Sequence, residues 1–293
     1  MPNTAADLSS ILQRAESVLH RLEAWLPAPP EMPEWDRHIA FRWRRQGSRG
    51  WLEGIDRPQV VAVSQLTGID AQKQSITQNT AQFVAGKPAN NVLLTGARGT
   101  GKSSLVKAML HAYSKQGLRM IEVDKDYLAD LADITRQLVN RPERFILFCD
   151  DLSFSDEDPG YKSLKVALDG TLAAAPENVL IYATSNRRHL LPEYMRENEA
   201  ARHQNGEVHP NEATEEKISL SERFGLWLSF YPFDQDTYLA SVAIWLESFG
   251  IEGALAEESR REALQWALTR GTRSGRSAWQ FARDYVGRKT LPE

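Results

Sequence analysis

Twelve residues constrain this chain more than any others: Leu93 to Ser104 reads LLTGARGTGKSS. Gly96, Gly101, Lys102 and Ser103 satisfy the pattern G-x-x-x-x-G-K-[ST]. The flanks give the pattern its meaning. NVLLT before it is a short apolar run with the character of a strand, and SSLVKAMLHAYSK after it has helical spacing, so the loop joins a strand to a helix amino terminus. Glycine at 96, 99 and 101 leaves no side chain in the way when the backbone amides around Thr100 and Ser104 curl about an anion. The helix that follows adds the positive end of its dipole. Lys102 then reaches outer phosphates and the Ser103 hydroxyl ligates magnesium, which makes the stretch a candidate ATP-binding loop.

The surrounding pattern fits such a loop. From Gln65 to Phe233 the apolar runs NVLLT, LRMIEVD, RFILFCD, NVLIYATS and LWLSFYPF alternate with helical segments. Strands with few polar interruptions, separated by helices, predict a parallel α/β sheet buried on both faces, a P-loop core over residues 65–233. From Asp234 the strands stop, and DTYLASVAIWLESFG and ESRREALQWALTR predict a small helical domain over 234–293. Residues 1–30 predict an amphipathic helix and linker whose apolar face packs on the core or on a neighbouring subunit. Residues 31–64 contain IAFRWRRQGSRGWLEG, two apolar-aromatic pieces around a turn-like QGSRG, which predicts a hairpin. Arg42, Trp43, Arg44 and Arg45 there either stack on a nucleic acid strand or place the aromatics inward and the arginines in water; the second is the expectation, since no wider basic patch supports the first. Residues 196–217 are polar and are expected to form a mobile surface insertion, with His203 and His209 as solvated side chains rather than metal ligands.

The formal charge of −4 over 293 residues gives no global attraction to nucleic acid or to an anionic membrane. A single cysteine, Cys149, excludes an internal disulfide. The start MPNTAADLSS lacks a basic then apolar leader, and no apolar span is long enough to cross a bilayer, so a cytoplasmic protein with no membrane contact is expected.

A phosphate loop requires a carboxylate at the end of a neighbouring strand. RFILFCDD supplies it: Asp150 is the expected magnesium-side acid, and Asp151 is positioned to polarise an attacking water. LIYATSNRR ends an apolar run with Thr184, Ser185 and Asn186, any of which can orient that water. Further on, LSERFG places Arg223 before the last strand, and RGTRSGRSAWQFA brings Arg273 and Arg276 to the start of a late helix.

The ordered series of phosphate loop, FCDD, ATSN, SERFG and late arginine resembles the AAA+ ATPases. More closely, LTGIDAQK, TGARGTGKSSLVKA, EVDKDYLADL, FILFCDDLSF, YATSNRRHLLPE, EEKISLSERFGLWLSF and SGRSAWQF resemble the bacterial family named domain of unknown function 815, from about Phe41 to the carboxyl end. The resemblance implies an AAA+ parallel sheet flanked by helices, a helical lid, and a homo-oligomeric ring in which one subunit completes its neighbour's site. It assigns Arg223 as an arginine finger acting in trans, Asn186 as the polar sensor, Arg276 ahead of Arg273 as the lid arginine on the phosphates, and Gly68 and Ile69 to the adenine pocket. Most AAA+ members carry glutamate beside the metal acid, where this chain has the shorter Asp151. Tyr127 falls where some AAA+ unfoldases have a pore aromatic, but its helical surroundings predict a packed or surface tyrosine. The implied function is ATP hydrolysis used to remodel or load a macromolecular partner. The alternative is a nucleotide-dependent binding scaffold, for protein or DNA, with little turnover.

Overall fold

The computed structural model describes residues 4–23, 32–154, 158–170, 176–187, 220–251 and 256–290; the segment 196–217, with His203 and His209, lies outside them. Two units are present, residues 1–33 and 34–293. In the first, α1 runs Thr4–Glu23.

In the second unit, β1 (Ala40–Gln46) and β2 (Arg49–Gly54) form an antiparallel hairpin, with Gln46 opposite Arg49. Helix α2 (Asp70–Val84) precedes β3 (Val92–Gly96), and α3 (Lys102–Tyr113) precedes β4 (Leu118–Glu122). Then come α4 (Leu131–Leu138), β5 (Arg144–Cys149), α5 (Pro159–Asp169), β6 (Val179–Ser185) and β7 (Leu226–Phe230). The seven strands lie in the order β2-β1-β4-β5-β6-β3-β7. All neighbours are parallel except β1 and β2.

Strands β3 and β5 are apolar on both faces because both are covered. In β3, Leu93 joins the cluster packed with α4 and α5, while Val92 and Leu94 join the one packed with α2 and α3. In β5, Phe145, Leu147 and Cys149 face the first cluster, and Ile146 and Phe148 the second. Each fully buried leucine of this kind contributes about 1.5–3 kcal/mol of hydrophobic stabilisation. Cys149 is fully buried, and burial pushes its thiol up to about 12, so it is packing material. Tyr127 packs against the first cluster, as its helical pattern predicts.

The hairpin extends the sheet beyond β4, Phe41 pairing with Ile121 across β1 and β4. Trp43 is 2% exposed and its indole N–H donates to Asp130 at 2.9 Å. Arg42 pairs with Glu122 (2.6 Å), Arg44 with Glu53 (2.7 Å), and Arg45 with Asp130. Trp43 is thus inside and Arg42, Arg44 and Arg45 are held by acids, an arrangement unlike a stacking platform for a nucleic acid strand.

After β7 come α6 (Gln235–Ser248), α7 (Glu257–Arg270) and α8 (Gly275–Lys289). Asp234 caps α6 by accepting from the Thr237 amide, and Ser274 caps α8 by accepting from that of Ser277. Gly271, with φ 64°, closes α7 in the left-handed conformation. The three helices share a separate core around Tyr238, Val242, Ala263, Ala278 and Phe281.

Candidate functional site

The site forms where the carboxyl ends of β3, β5 and β6 meet the start of α3. Gly101 takes φ 98° immediately before α3, and Gly99 takes φ 76°. Gly96 ends β3 so close to β7 that a Cβ there would lie 1.9 Å from the Phe230 carbonyl oxygen. Glycine is a steric requirement at this position, before any ligand is considered.

Lys102, the first residue of α3, is only 5% exposed. Its Nζ donates to the carbonyls of Gly96 and Ala97, both at 2.7 Å, and to Asn186 Oδ1 at 3.0 Å. Burial pushes its pKa from 10.5 down to about 8; Asp151 and Asp150 oppose the shift, and Arg98 and Arg276 add to it. A buried ammonium held by neutral carbonyl and amide oxygens is poised to exchange them for anionic ones.

The acids are organised by one threonine. Thr184 Oγ1 donates to Asp150 Oδ1 at 2.6 Å and accepts from the Asp151 amide at 2.9 Å. Ser103 Oγ donates to the same Asp150 oxygen at 2.6 Å. Asp151 has φ 53°, and Asn186 Nδ2 donates to its carboxylate. This left-handed turn is fixed from both sides, since the Leu152 amide donates to the Thr184 carbonyl and Ser185 Oγ donates to the Leu152 carbonyl. Of the three polar residues ending β6, Thr184 and Ser185 thus hold backbone and carboxylate, and Asn186 alone bridges Lys102 and Asp151.

A cavity of about 650 Å³ opens over these groups, within the size range of small-molecule sites. Gly99, Thr100, Gly101, Lys102, Ser103 and Ser104 line it from the loop, Asp150, Asp151 and Asn186 from the strand ends, and Ile69 and Arg276 also line it. Gly96 and Gly68 support it without lining it. A Cβ on Gly68, whose φ is 69°, would lie 2.4 Å from Thr237 of α6, so this glycine permits a close approach of α6 to the core. Arg223 does not line the cavity; its Nε donates to Asp169 Oδ1, the end of α5, at 2.6 Å. Arg273 is likewise not among the lining residues.

Several lining residues were given no role by the sequence. Trp245 of α6 and Trp279 of α8 face the cavity together with Phe233, Val61 and Leu66, giving it an apolar wall. Gln59 faces it too, accepting from Lys107 Nζ at 3.1 Å. Leu66 and Trp279 fall within the segments LTGIDAQK and SGRSAWQF, whereas Val61, Phe233 and Trp245 have no such signal.

The donor set fits a nucleotide with magnesium. A serine hydroxyl and a carboxylate converge 2.6 Å apart beside an anion-binding loop, and both are the hard oxygen ligands that magnesium takes alongside phosphate oxygens and water.

Residues 36–289 match the family described as "Protein of unknown function (DUF815)". The chain belongs to that family. No curated protein matches it in sequence. The fold of this DUF815 member is that of the AAA+ P-loop ATPases. Two mutants of RuvB from Thermotoga maritima are 16% and 17% identical to it, with TM-scores of 0.53 and 0.50, each match covering 76% of this chain and 63% of the other. The ORC1 protein of Aeropyrum pernix, solved in complex with DNA, is 17% identical with a TM-score of 0.51, over 78% of this chain and 62% of the other. The chain therefore spans somewhat under two thirds of the length of these structures, and at such identities the likeness is one of fold. Among the described residues no helix is long and apolar enough to cross a membrane.

Proposed function

We propose that this protein is an AAA+ ATPase that binds ATP with magnesium in the cavity above the 96–104 loop and hydrolyses it in an oligomer to remodel or load a macromolecular partner. The observation that carries the reading is the convergence of Lys102, the Ser103–Asp150 pair and the Asn186–Asp151 pair on one cavity beneath a helical layer.

In this reading Lys102 leaves the carbonyls of Gly96 and Ala97 for phosphate oxygens, while Ser103 and Asp150 hold magnesium, which supplies charge neutralisation at the phosphates. Thr184 keeps Asp150 oriented. Asp151 accepts the proton of an attacking water, and Asn186 fixes the direction of its carboxylate. Trp245, Trp279 and Ile69 would offer the base its apolar surface. Residues 65–233 act as the ATPase core and 234–293 as the lid, with Arg276 on the phosphates and Gly68 as the point of closest approach. The 31–64 hairpin extends the core, and residues 1–30 supply an amphipathic helix and linker. Arg223 exchanges Asp169 for a neighbouring subunit's terminal phosphate, so the active form is a homo-oligomer, expected as a ring in the cytoplasm.

The test is ATP turnover against protein concentration. A specific activity that rises with concentration and vanishes in Arg223→Ala supports the ring ATPase. Tight binding of ATP with negligible turnover at all concentrations favours the scaffold reading, for which the short Asp151 is the specific motive. Absence of ATP binding overturns both.

A further inference from the structure

Arg98 has no role in the scheme above, yet it lies in the loop itself, as the second residue between Gly96 and Gly101. It is exposed and lines the same cavity as Arg276. Among the described residues its guanidinium has no ion pair or hydrogen bond, in contrast to Arg42, Arg44, Arg45, Arg141 and Arg288, each of which is held by an acid.

Two contacts fix where Arg98 sits. The next residue, Gly99, accepts a hydrogen bond from the Gly275 amide at 2.9 Å, and a Cβ on Gly99 would lie 3.5 Å from Arg276 Cβ. Residues 98–99 and 275–276 therefore form one rim, with a guanidinium from each side. The preceding residue, Ala97, gives its carbonyl to Lys102 Nζ, which also contacts Asn186. Arg98 is thereby one residue from the carbonyl that holds Lys102, whose other partner Asn186 also meets Asp151, while Gly275 on the far side of the rim lies beside the Phe233 ring. Both arginines lower the pKa of Lys102, so all three cations feel one another. Three like charges around one cavity repel, and a multiply charged anion reverses the sign of that interaction. Guanidinium forks match phosphate oxygens in pairs.

We infer that Arg98 is a phosphate ligand supplied by the loop's own subunit, which grips the terminal phosphate of a bound nucleoside triphosphate jointly with Arg276 and so separates triphosphate from diphosphate. The inference rests on the nucleotide-binding reading above. With this contact in cis, recognition of the terminal phosphate precedes and does not require a neighbour's Arg223.

The experiment titrates the full-length protein with ADP and with a non-hydrolysable ATP analogue, both with magnesium, at a concentration where it is monomeric. Arg98→Ala is expected to lose about 10-fold or more in affinity for the analogue, the worth of one charge-assisted hydrogen bond, and to keep its ADP affinity within about 3-fold. Arg98→Lys should recover part of the loss, since an ammonium restores charge without the fork. Equal losses for both nucleotides, or none for either, overturn the inference. Failure of the wild-type protein to bind either nucleotide overturns the underlying reading instead. Arg98 is exposed and without protein partners among the described residues, so thermal unfolding of both variants should match the wild type.

Discussion

The Gly275 amide donates to the carbonyl of Gly99 across 2.9 Å, tying the first residue of α8 to the middle of the phosphate loop. Residues some 175 positions apart in sequence are thus joined backbone to backbone. Gly99 has φ 76°, and a Cβ there would lie 2.8 Å from Ser274 Oγ and 2.9 Å from Ser274 Cβ. Gly99→Ala should push α8 off the loop and cost about 1–3 kcal/mol from the strained backbone alone. A thermal melt reads that loss, and nucleotide titration should show weaker binding. A variant that melts and binds like the wild type would mean the junction carries no energy.

Lys102 sets a pH dependence. Its folded pKa, near 8, lies below its ordinary 10.5, so between those values the empty folded protein binds fewer protons than the unfolded chain. This group's contribution to stability therefore rises with pH across that window, and its penalty is complete below about pH 8. Phosphate beside the amine keeps it charged, so binding near pH 8 takes up a proton and ATP affinity falls as the pH rises further. Calorimetry in two buffers of different ionisation heat measures the uptake. In Lys102→Ala the uptake should disappear and affinity for ATP should drop by at least the 1.5–3 kcal/mol typical of about one charged hydrogen bond. Uptake unchanged in that variant would assign the proton to another group.

Asp151→Asn should bind ATP normally and turn over about 100-fold or more slowly, the usual share of a general base. The amide can still meet Asn186, and Asn tolerates left-handed backbone as Asp does, so the turn at φ 53° persists. Steady-state kinetics with a parallel binding titration separates the two quantities. Wild-type turnover would return Asp151 to a bystander's place.

Arg223 is expected to act across a boundary. Its bond to Asp169 is partly exposed, so breaking it by Arg223→Ala should cost at most about 1 kcal/mol of stability. Turnover should fall about 1000-fold, as for an arginine supplied in trans. Mixing Arg223→Ala with Lys102→Ala, each inactive alone, should restore part of the activity, because one subunit keeps an intact loop and the other an intact finger. Mixed oligomers without activity would confine Arg223 to its own subunit.

Much of this was legible in the sequence where the causes are local. Gly96 to Ser103 encode their own turn, and RFILFCDD encodes a buried strand ending in acids, so neighbouring residues suffice. The hairpin could be read from QGSRG, but its seat beside β4 could not, since pairing Phe41 with Ile121 depends on a contact 80 residues away. The same holds for Trp245 and Trp279, whose shared cavity exists only once α6 and α8 have packed on the core. Nor could the burial of Lys102 and its hydrogen bond to Asn186, just past β6, be read locally. Gly68 reads as part of an adenine pocket, whereas the close approach of Thr237 is what demands a residue without a side chain there.

The left-handed turn at Asp151 links two traits that look independent. Asp and Asn enter that region of backbone space far more readily than longer or branched residues, because a short polar side chain can bond locally. Glutamate at 151 would therefore bring a conformational penalty along with its extra methylene, and the tether from Thr184 and Ser185 would resist relaxing the turn. Acid length and turn handedness form a matched pair here: exchanging the acid for the one common elsewhere requires rebuilding the corner on which it stands.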